Sequence, residues 1–545
     1  MSTYDVLIRA ARVVDGTGNP YVHADVATRG DRIAAVAPPG RIDASACRDV
    51  VDAAGQVLCP GFIDIQSHAI LSLMRDGRCL SKITQGVTTE VMGEAWTPAP
   101  FGGRVGDPLS GTMFALDIDS VWPERMRSWT RFGDWLGTME EVGVSPNVGS
   151  FLGGGTLRSY AMGLDMGPAE DAELGVMRRV AAEAMEDGAF GVSYALVYPP
   201  DAYAGTAELT HVCREVARYG GVYITHLRSE SSGIFDALEE ALTVGREAGT
   251  PVEIYHLKAA HPDHWWRMHS VIERITRERE GGLDVTADMY PYAASGTGLA
   301  AILPTWTAEG GRLYERLRES GARARVRAQL EGREPHDGMG LETEGGAQGV
   351  MPVGFRKPEH QGYVGKRLSE IAAARSQDWI ETVLDLLAAE EQRISTIYFS
   401  MDERNLALQA QQPWVTFSTD AGGFDPSWAK PLGPYHPRAY GTYPRVLRSF
   451  VRERRLLTLE EAIRKMTSAV AQRLGLRDRG VVREGAYADL VVFDPATITD
   501  RATFEDPHQL SHGVSEVWVN GERVLQGGVH TGATPGRFVR GPGAG

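Results

Sequence analysis

Five apolar runs of the chain each end in a side chain that can bind a metal ion or move a proton. These runs, "GFIDIQSH", "GVTTEVMGE", "GVYITH", "PVEIYH" and "WVTFSTD", end at His68, Glu94, His226, His256 and Asp420. Imidazole nitrogen and carboxylate oxygen are common zinc ligands, and a catalytic zinc usually keeps about three protein ligands and an open position for water. The set therefore predicts a zinc site.

His226 and His256 are the strongest pair in this set. A single histidine is more often a hydrogen-bonded core residue than a ligand. These two, however, lie one strand-helix-strand step apart and end their strands at equivalent points. Because neighbouring parallel strands end at the same edge of a sheet, we expect both imidazoles at one site.

Asp420 is the candidate for proton transfer. A carboxylate beside a metal-bound water can accept a proton and return it to a leaving amine. The competing interpretation is a helix cap before "AGGFDP".

Three further residues are candidates for contact with a substrate. Lys258 should share a strand face with His256, although a solvated surface lysine explains it equally well. Arg438, in "GPYHPRAYGTYPR", suits bidentate carboxylate binding, and a structural salt bridge is the alternative. Tyr290, in "DMYPYAASGTG", offers a hydroxyl or simple packing.

The elements that must position these residues alternate between strands and helices. Strands are predicted at 221–227 and 251–258, with helices around 234–248 and 268–279, which indicates βα units and a parallel sheet. Such units over most of the chain favour a (β/α)₈ barrel, an α/β TIM-barrel fold.

The two ends of the chain differ from the middle, since both consist of short strands and turns. We therefore predict one small β-domain from residues 1–60 and 480–545, a catalytic barrel at 61–479, and an insertion at 298–370 that breaks the βα rhythm near the site.

Composition narrows the class of protein. The 545 residues are 43% hydrophobic and 23% charged, in the globular range. A net charge of -15 disfavours a nucleic-acid partner. The sequence has no long apolar run and no secretory leader pattern, so we predict a cytoplasmic protein without a membrane partner. The four cysteines are expected to be structural. Nothing identifies a protein partner, and a homo-oligomer is left open.

The chain resembles the amidohydrolase superfamily, and within it the D-aminoacylase (N-acyl-D-amino-acid deacylase) branch. The resemblance runs almost end to end through "ARVVDGTGNPYVHADVATRGDRIAAV", "PGFID", "KITQGVTTEVMGE", "YPPDAYAGTAELTHVCREVARYGGVYITHLRSE", "HLK", "DMYPY", "STDAGG", "HPRAYGTYPRVL", "LTLEEAIRKMTSAVAQRLGL" and "REGAYADLVVFDP". Of these, "HPRAYGTYPRVL" is typical of the branch rather than of the superfamily.

The resemblance implies a distorted (β/α)₈ barrel beside a small β-sandwich built from both termini. It also implies zinc-dependent hydrolysis of the N-acyl amide of an N-acyl-D-amino acid. His226 and His256 match the two strand-borne zinc ligands and Asp420 matches the general acid/base. Lys258 and Tyr290 match substrate-holding positions, and Arg438 matches the residue on the carboxylate.

Three departures from the family lie around this site. The His-x-His pair of the first metal strand reads Gln66 and His68, and the cysteine ligand position reads Ala95 after Glu94. A "GHGTLR"-like loop reads "GGGTLR" at 153–158.

Two explanations compete. In the favoured one, Glu94 replaces the thiolate, giving one zinc on Glu94, His226 and His256, while Gln66 abolishes a second, weaker metal position. Gln66 then contacts substrate or water, and His68 does the same or serves as a weak ligand. In the other, metal binding is lost or weakened.

The favoured function is a zinc-dependent hydrolase of an N-acyl-D-amino acid or a related carboxylate-bearing amide. The alternatives are an enzyme acting on a different amide or cyclic substrate and a metal-free binding protein. The acyl group and the amino-acid side chain are left open.

Overall fold

Strands and helices alternate along the middle of the chain in a computed structural model, which describes residues 3–109, 118–341, 343 and 345–544. The β-strands are β1 (Tyr4–Val13), β2 (Val22–Arg29), β3 (Arg32–Ala37), β4 (Cys47–Asp52), β5 (Val57–Pro60), β6 (Phe62–Asp64), β7 (Val87–Met92), β8 (Asn147–Ser150), β9 (Leu152–Gly153), β10 (Gly191–Ala195), β11 (Val222–His226), β12 (Val252–Ile254), β13 (Val285–Met289), β14 (Ser295–Gly298), β15 (Val350–Pro352), β16 (Ser395–Tyr398), β17 (Val415–Phe417), β18 (Leu490–Phe493), β19 (Val514–Val519), β20 (Glu522–Gln526) and β21 (Val529–His530). The α-helices are α1 (Ile70–Arg75), α2 (Leu80–Ile83), α3 (Val121–Met126), α4 (Phe132–Val142), α5 (Gly154–Met162), α6 (Asp171–Asp187), α7 (Thr206–Arg218), α8 (Ile234–Ala248), α9 (Met268–Glu280), α10 (Leu313–Arg316), α11 (Ser320–Leu330), α12 (Leu368–Ala374), α13 (Trp379–Glu390), α14 (Glu403–Ala410), α15 (Pro426–Ala429), α16 (Arg438–Arg445), α17 (Leu459–Met466) and α18 (Ser468–Arg473).

Two parallel sheets form the middle of the protein. One has the strand order β17-β13-β12-β11-β10-β9 and the other has the order β6-β7-β8. Phe151 alone separates β8 from β9, and a parallel bridge pairs Ser67 with Ala421 just beyond β6 and β17. Since neighbouring strands are parallel, their carboxyl ends share one edge. The strand predicted at 221–227 and the helices predicted around 234–248 and 268–279 are confirmed as β11, α8 and α9.

Burial explains why apolar runs form these strands. All five residues of β11 are buried, as expected for a parallel strand with helices on one side and side chains of other strands on the other. The helix before it, α7, buries Leu209, Val212 and Val216 at helical spacing. The next helix, α8, stops at Gly249, whose φ of 66° suits a left-handed C-cap.

Strands from both ends of the chain share one sheet. Its order is β21-β20-β19-β18-β5-β1-β2-β3, and β4 pairs with β1. Leu490 of β18 lies opposite Pro60 of β5, directly before the first parallel strand begins. Val6, Ile8 and Trp518 pack in the core of this sheet. The division at residues 60 and 480 stays a prediction.

A second small core lies in the segment that interrupts the βα pattern. The strands β14, β16 and β15 form an antiparallel sheet, and its core includes Leu299, Leu368, Val383 and Tyr398. Because α13 and β16 pack into this core, the unit continues past the residues 298–370 expected for an insertion. The boundaries of that insertion stay a prediction.

A buried ion cluster ties the strands together beneath the site. The ammonium of Lys82 lies 2.7 Å from Asp64 and 2.9 Å from Glu90, and all three side chains are 0% exposed. Asp64 also accepts hydrogen bonds from the backbone N–H of Thr419 (2.9 Å) and from its hydroxyl (2.5 Å). Burial alone would lower the pKa of Lys82, but the charges of Asp64 and Glu90 outweigh it and raise that pKa. The cluster therefore joins β6 and β7 to the loop after β17.

No helix in the described part of the chain is long and apolar enough to span a membrane.

Replacing Lys82 should destabilise the fold strongly. Lys82→Met leaves two buried carboxylates without their cation, and breaking a buried pair in this way costs roughly 3–5 kcal/mol. Urea unfolding followed by far-UV circular dichroism measures the change.

Lys465→Met provides the control, because the Lys465 ammonium contacts the carbonyl oxygens of Gln412 and Val415 rather than carboxylates. Burial lowers the pKa of Lys465 from 10.5 to about 7. The unfolded chain then binds more protons between these values, so wild-type stability at this position rises as the pH increases from about 7 to 10.5. Lys465→Met should remove that slope and cost less than Lys82→Met. An equal loss for both variants would contradict the role given to the carboxylates.

Candidate functional site

The residues predicted to do chemistry lie together at the carboxyl edge of the two parallel sheets. Gln66 and His68 follow β6, Glu94 follows β7, His226 ends β11, His256 and Lys258 follow β12, Tyr290 follows β13, Asp420 follows β17 and Arg438 begins α16. All of them except the partly exposed His68 are buried residues. Strands that are distant in sequence thus deliver polar groups to one enclosed place.

Two of these residues have unusual backbone conformations. His256 has a φ of 34° and Asp420 a φ of 49°, in the left-handed region that costs a residue with a Cβ about 1–3 kcal/mol. Hydrogen bonds hold both turns: Asp288 accepts from the N–H of His256 at 3.0 Å, and the carbonyl of Gln66 accepts from the N–H of Asp420 at 2.9 Å. The strand ends therefore aim both side chains at the site.

Glu94 occupies the centre of the site. Its Oε1 faces two imidazoles, with His226 Nδ1 at 3.6 Å and His256 Nε2 at 3.8 Å. Its Oε2 accepts a hydrogen bond from the amide of Gln66 at 2.6 Å and lies 3.3 Å from His68 Nε2. One carboxylate oxygen therefore faces His226 and His256, and the other faces Gln66 and His68.

The surroundings keep Glu94 ionised. Burial would raise the pKa of Glu94, but interactions with His226, His256 and His68 outweigh it and hold that pKa well below its usual value. Burial lowers the pKa of His226, so this ring is neutral at pH 7. Burial also acts to lower the pKa of His256, yet the carboxylates of Glu230 and Glu94 raise it to about 9. A cation at Glu94 would compete with this proton.

Glu94, His226 and His256 fit a metal ion. One ligand atom from each lies within 4.8 Å of the other two, and all three residues are buried. His226 Nδ1 is fully buried and has no hydrogen-bond partner within the described part of the chain, although it points at Glu94. A buried imidazole nitrogen without a partner costs free energy, which a metal would recover. His68, Glu94 and Asp420 form a second group of the same size.

Asp420 lies between a histidine and an arginine. Its Oδ1 is 2.8 Å from His68 Nε2, and its Oδ2 is 2.7 Å from Arg438 Nη1. Burial would raise the pKa of Asp420, but the charge of Arg438 and the contact with His68 lower it overall. The side chain is therefore an ionised carboxylate at neutral pH.

Lys258 lies against a carboxylate that the sequence analysis missed. Its ammonium is 2.6 Å from Glu230 Oε1 and 2.7 Å from His256 Nδ1. Glu230 is four residues after His226 in "THLRSE", but it lies on the loop between β11 and α8, where no spacing pattern selects it. Burial would raise the pKa of Glu230, but the nearby His226, Lys258 and His256 lower it.

A small cavity of about 30 Å³ opens onto these groups. Its lining includes His68, Glu94, His226, Glu230, His256, Lys258, Tyr290 and Asp420. Tyr198, Thr297 and Arg393 complete one wall, and the sequence analysis had not selected Tyr198 or Arg393. A second cavity of similar volume shares Asp420, Thr297 and Arg393 and adds Arg438. The Tyr290 hydroxyl contacts Met401 sulfur at 3.9 Å, and the tyrosine ring lies 4.6 Å from the Arg438 guanidinium.

A larger cavity, of about 390 Å³, lies elsewhere. It is lined by Phe190, Val222, Pro251 and Trp414, which precede or start the strands, and therefore opens at their amino ends. Size does not identify the site here, because the convergent carboxylates and imidazoles lie at the opposite edge.

A model of the amidohydrolase family matches residues 49–525. The chain belongs to this family. The amidohydrolase is 35% identical to an N-acyl-D-aspartate deacylase of Alcaligenes xylosoxydans xylosoxydans, over 98% of this chain and 95% of the relative.

Two solved structures are similar to this amidohydrolase over nearly their whole length. One is a D-aminoacylase studied for its binuclear metal centre, with a TM-score of 0.81 and 34% identity, covering 98% of this chain and 100% of that one. The other is an N-acyl-D-glutamate deacylase of Bordetella bronchiseptica in complex with zinc and a phosphonate inhibitor that mimics the tetrahedral intermediate. Its TM-score is 0.80 at 30% identity, covering 98% of this chain and 99% of that one.

These likenesses establish a TIM-barrel-like α/β fold. They also confirm the predicted class: this protein is an amidohydrolase related to the N-acyl-D-amino-acid deacylases.

Removing the Glu94 charge should abolish tight metal binding. Glu94→Gln takes the anionic oxygen away from His226 and His256, and we expect zinc affinity to fall by more than about 100-fold, the upper range for losing an outer-sphere partner. Zinc titration against a chromophoric chelator measures the affinity.

Glu390→Gln is the matched control, because Glu390 is also a buried carboxylate against an imidazole, His360, but it lies outside the cavity. Its zinc affinity should equal that of the wild type. Unchanged affinity in Glu94→Gln would show that Glu94 is no ligand.

Proposed function

We propose that this protein is a zinc-dependent deacylase that hydrolyses the amide of an N-acyl-D-amino acid. The observation that carries the proposal is the meeting of Glu94, His226 and His256 with Asp420 at one buried cavity. The relatives named for N-acyl-D-aspartate, D-aminoacylase and N-acyl-D-glutamate activities are similarly close, at 35%, 34% and 30% identity. The comparison therefore supports the shared D-amino-acid chemistry and leaves the side chain open.

In this proposal Glu94, His226 and His256 hold the zinc ion. When bound there, the ion supplies a Lewis acid that polarises an amide carbonyl and lowers the pKa of a water. The neutral state of His226 and the unpartnered Nδ1 support this role.

Asp420 would move the proton. As a carboxylate at the cavity wall it can accept a proton from the attacking water and deliver it to the departing nitrogen. His68 on Oδ1 and Arg438 on Oδ2 fix the orientation of the carboxylate.

Arg438 would bind the substrate carboxylate together with Lys258 and Tyr290. Its Nη2 donates to the carbonyl of Gly296 at 3.1 Å and its Nη1 faces Asp420. Its Nε is buried and has no hydrogen-bond partner among the described residues, so one donor remains for an incoming carboxylate.

We infer that the site holds one zinc ion rather than two. The Gln66 amide donates to Glu94 Oε2, the oxygen that would serve a second ion, and places partial positive charge where that ion would lie. The ionised carboxylate of Glu94 can only accept a hydrogen bond, which favours the orientation that turns the amide NH₂ of Gln66 toward it. His68 and Asp420 then pair with each other instead of binding metal.

The same proposal includes a closed (β/α)₈ barrel with a β-sandwich beside it. The Ser67–Ala421 bridge supports closure, as does the hydrogen bond from the N–H of His68 to the carbonyl of Ala421 at 3.1 Å. Both contacts connect the chain just after β6 to the chain just after β17, the two edge strands that must pair to close a barrel.

The purified protein should contain about one zinc per chain and release free amine from N-acyl-D-amino acids but not from their L enantiomers. A panel of N-acetyl-D-aspartate, N-acetyl-D-glutamate and neutral N-acetyl-D-amino acids identifies the preferred side chain. Asp420→Asn should keep its zinc and lose about 10²–10⁴-fold in kcat, the range for a general acid-base residue. Asp425→Asn, which removes a helix cap and an ion pair with Arg78 away from the cavity, is the control.

Zinc without turnover of any D-substrate would favour an enzyme acting on another amide or a cyclic substrate. Absence of zinc together with unchanged ligand affinity in Asp420→Asn would favour a binding protein.

Gln66→His should raise the zinc content from one toward two per chain. The change replaces the amide donor with a ligand that joins His68, Glu94 and Asp420. Elemental analysis after dialysis against excess zinc measures the content. Gln66→Met, which removes the donor without adding a ligand, should stay at one. Two ions in the wild type, or one in Gln66→His, would contradict the blocking role of Gln66.

A further inference from the structure

One carboxylate contacts the outer nitrogens of both histidines proposed to bind zinc. Glu230 Oε1 lies 3.2 Å from His256 Nδ1, and Glu230 Oε2 lies 3.6 Å from His226 Nε2. The other nitrogen of each ring faces Glu94 Oε1. The two imidazoles are nearly perpendicular, with centroids 4.4 Å apart and an interplanar angle of 83°. Glu94 and Glu230 thus enclose the histidine pair from opposite sides.

The partners of His256 decide which of its nitrogens can bind a metal. Glu230 can only accept a hydrogen bond, so it favours a proton on Nδ1 and leaves the Nε2 lone pair directed at Glu94. The ammonium of Lys258 can only donate, and at 2.7 Å from the same Nδ1 it favours the opposite tautomer, whose Nε2 carries the proton. Lys258 also lies 2.6 Å from Glu230, which supplies the acceptor that this ammonium needs.

We propose that Glu230 is a positioning residue that fixes the tautomer and ring orientation of His256 for zinc binding, while its second oxygen acts on the His226 ring electrostatically from 3.6 Å. This inference rests on the proposed function, because it concerns the same two ligands. Carboxylates that accept from the outer nitrogen of a metal-bound imidazole typically contribute 10–100-fold in metal affinity. Glu230 is partly buried, with 14% of its side chain exposed, and its two oxygens face one ring each, so its loss acts mainly on His256 and more weakly on His226.

The test measures binding of metal alone. Glu230→Gln should weaken zinc binding by about 10- to 100-fold, determined by competition with a chromophoric chelator. With Co²⁺ in place of zinc, the visible absorption bands should shift, because the rings no longer hold the same geometry around the ion. Glu390→Gln, the buried carboxylate against His360, should leave both the affinity and the spectrum unchanged.

The double variant Glu230→Gln/Lys258→Met separates orientation from simple charge neutralisation. If Glu230 only neutralised Lys258, removing both charges would restore wild-type zinc affinity. If it orients the rings, the double variant should remain at least about 10-fold weaker than Lys258→Met alone. Far-UV circular dichroism and thermal unfolding establish that each variant is folded.

The outcomes distinguish this inference from the proposed function. Restored affinity in the double variant, or zinc affinity and Co²⁺ spectrum unchanged in Glu230→Gln, would overturn the positioning role while leaving the zinc enzyme intact. A wild-type protein that binds neither zinc nor Co²⁺ would overturn both.

Discussion

The architecture of the site depends on the ionised carboxylate of Glu94, buried among three imidazoles. A buried charge is expensive unless other charges and hydrogen-bond donors surround it, and Glu94 is 5% exposed. His226, His256 and His68 supply that compensation together with the amide of Gln66. In the proposed zinc enzyme, the same carboxylate would exchange part of this hydrogen-bonded surrounding for a metal ion, which would link the stability of the pocket to its occupancy.

Gln66 gives the two carboxylate oxygens of Glu94 different surroundings. With an amide on one carboxylate oxygen, that side of the site is a hydrogen-bonded network in which His68 meets Asp420 at 2.8 Å. The other oxygen faces two imidazoles, one with an unpartnered nitrogen. The amide of Gln66 thus gives the two halves of the pocket different surroundings, while Asp420, the residue proposed to transfer the proton, stays beside them.

A cluster of buried charged side chains also lies in the strands beneath the site. Lys82, Asp64 and Glu90 join the first two parallel strands, and Asp64 also binds Thr419 next to Asp420. Rigid strand ends allow His256 and Asp420 to keep their left-handed backbone conformations, since the surrounding hydrogen bonds offset the local strain. Precise placement of a few side chains is therefore supported by ordered groups one layer below them.

The sequence alone determined the strand ends that carry the chemistry. Periodicity located β11 and α8, and because parallel strands end at a common edge, His226, His256 and Asp420 could be expected together. Only the tertiary structure decided which groups touch. His68 and Asp420 are 352 positions apart in the chain. Glu230 lies on a loop, where spacing does not reveal direction. Contacts between side chains depend on rotamers and on how loops fold over the sheet, and these follow from packing and charge balance rather than from local pattern.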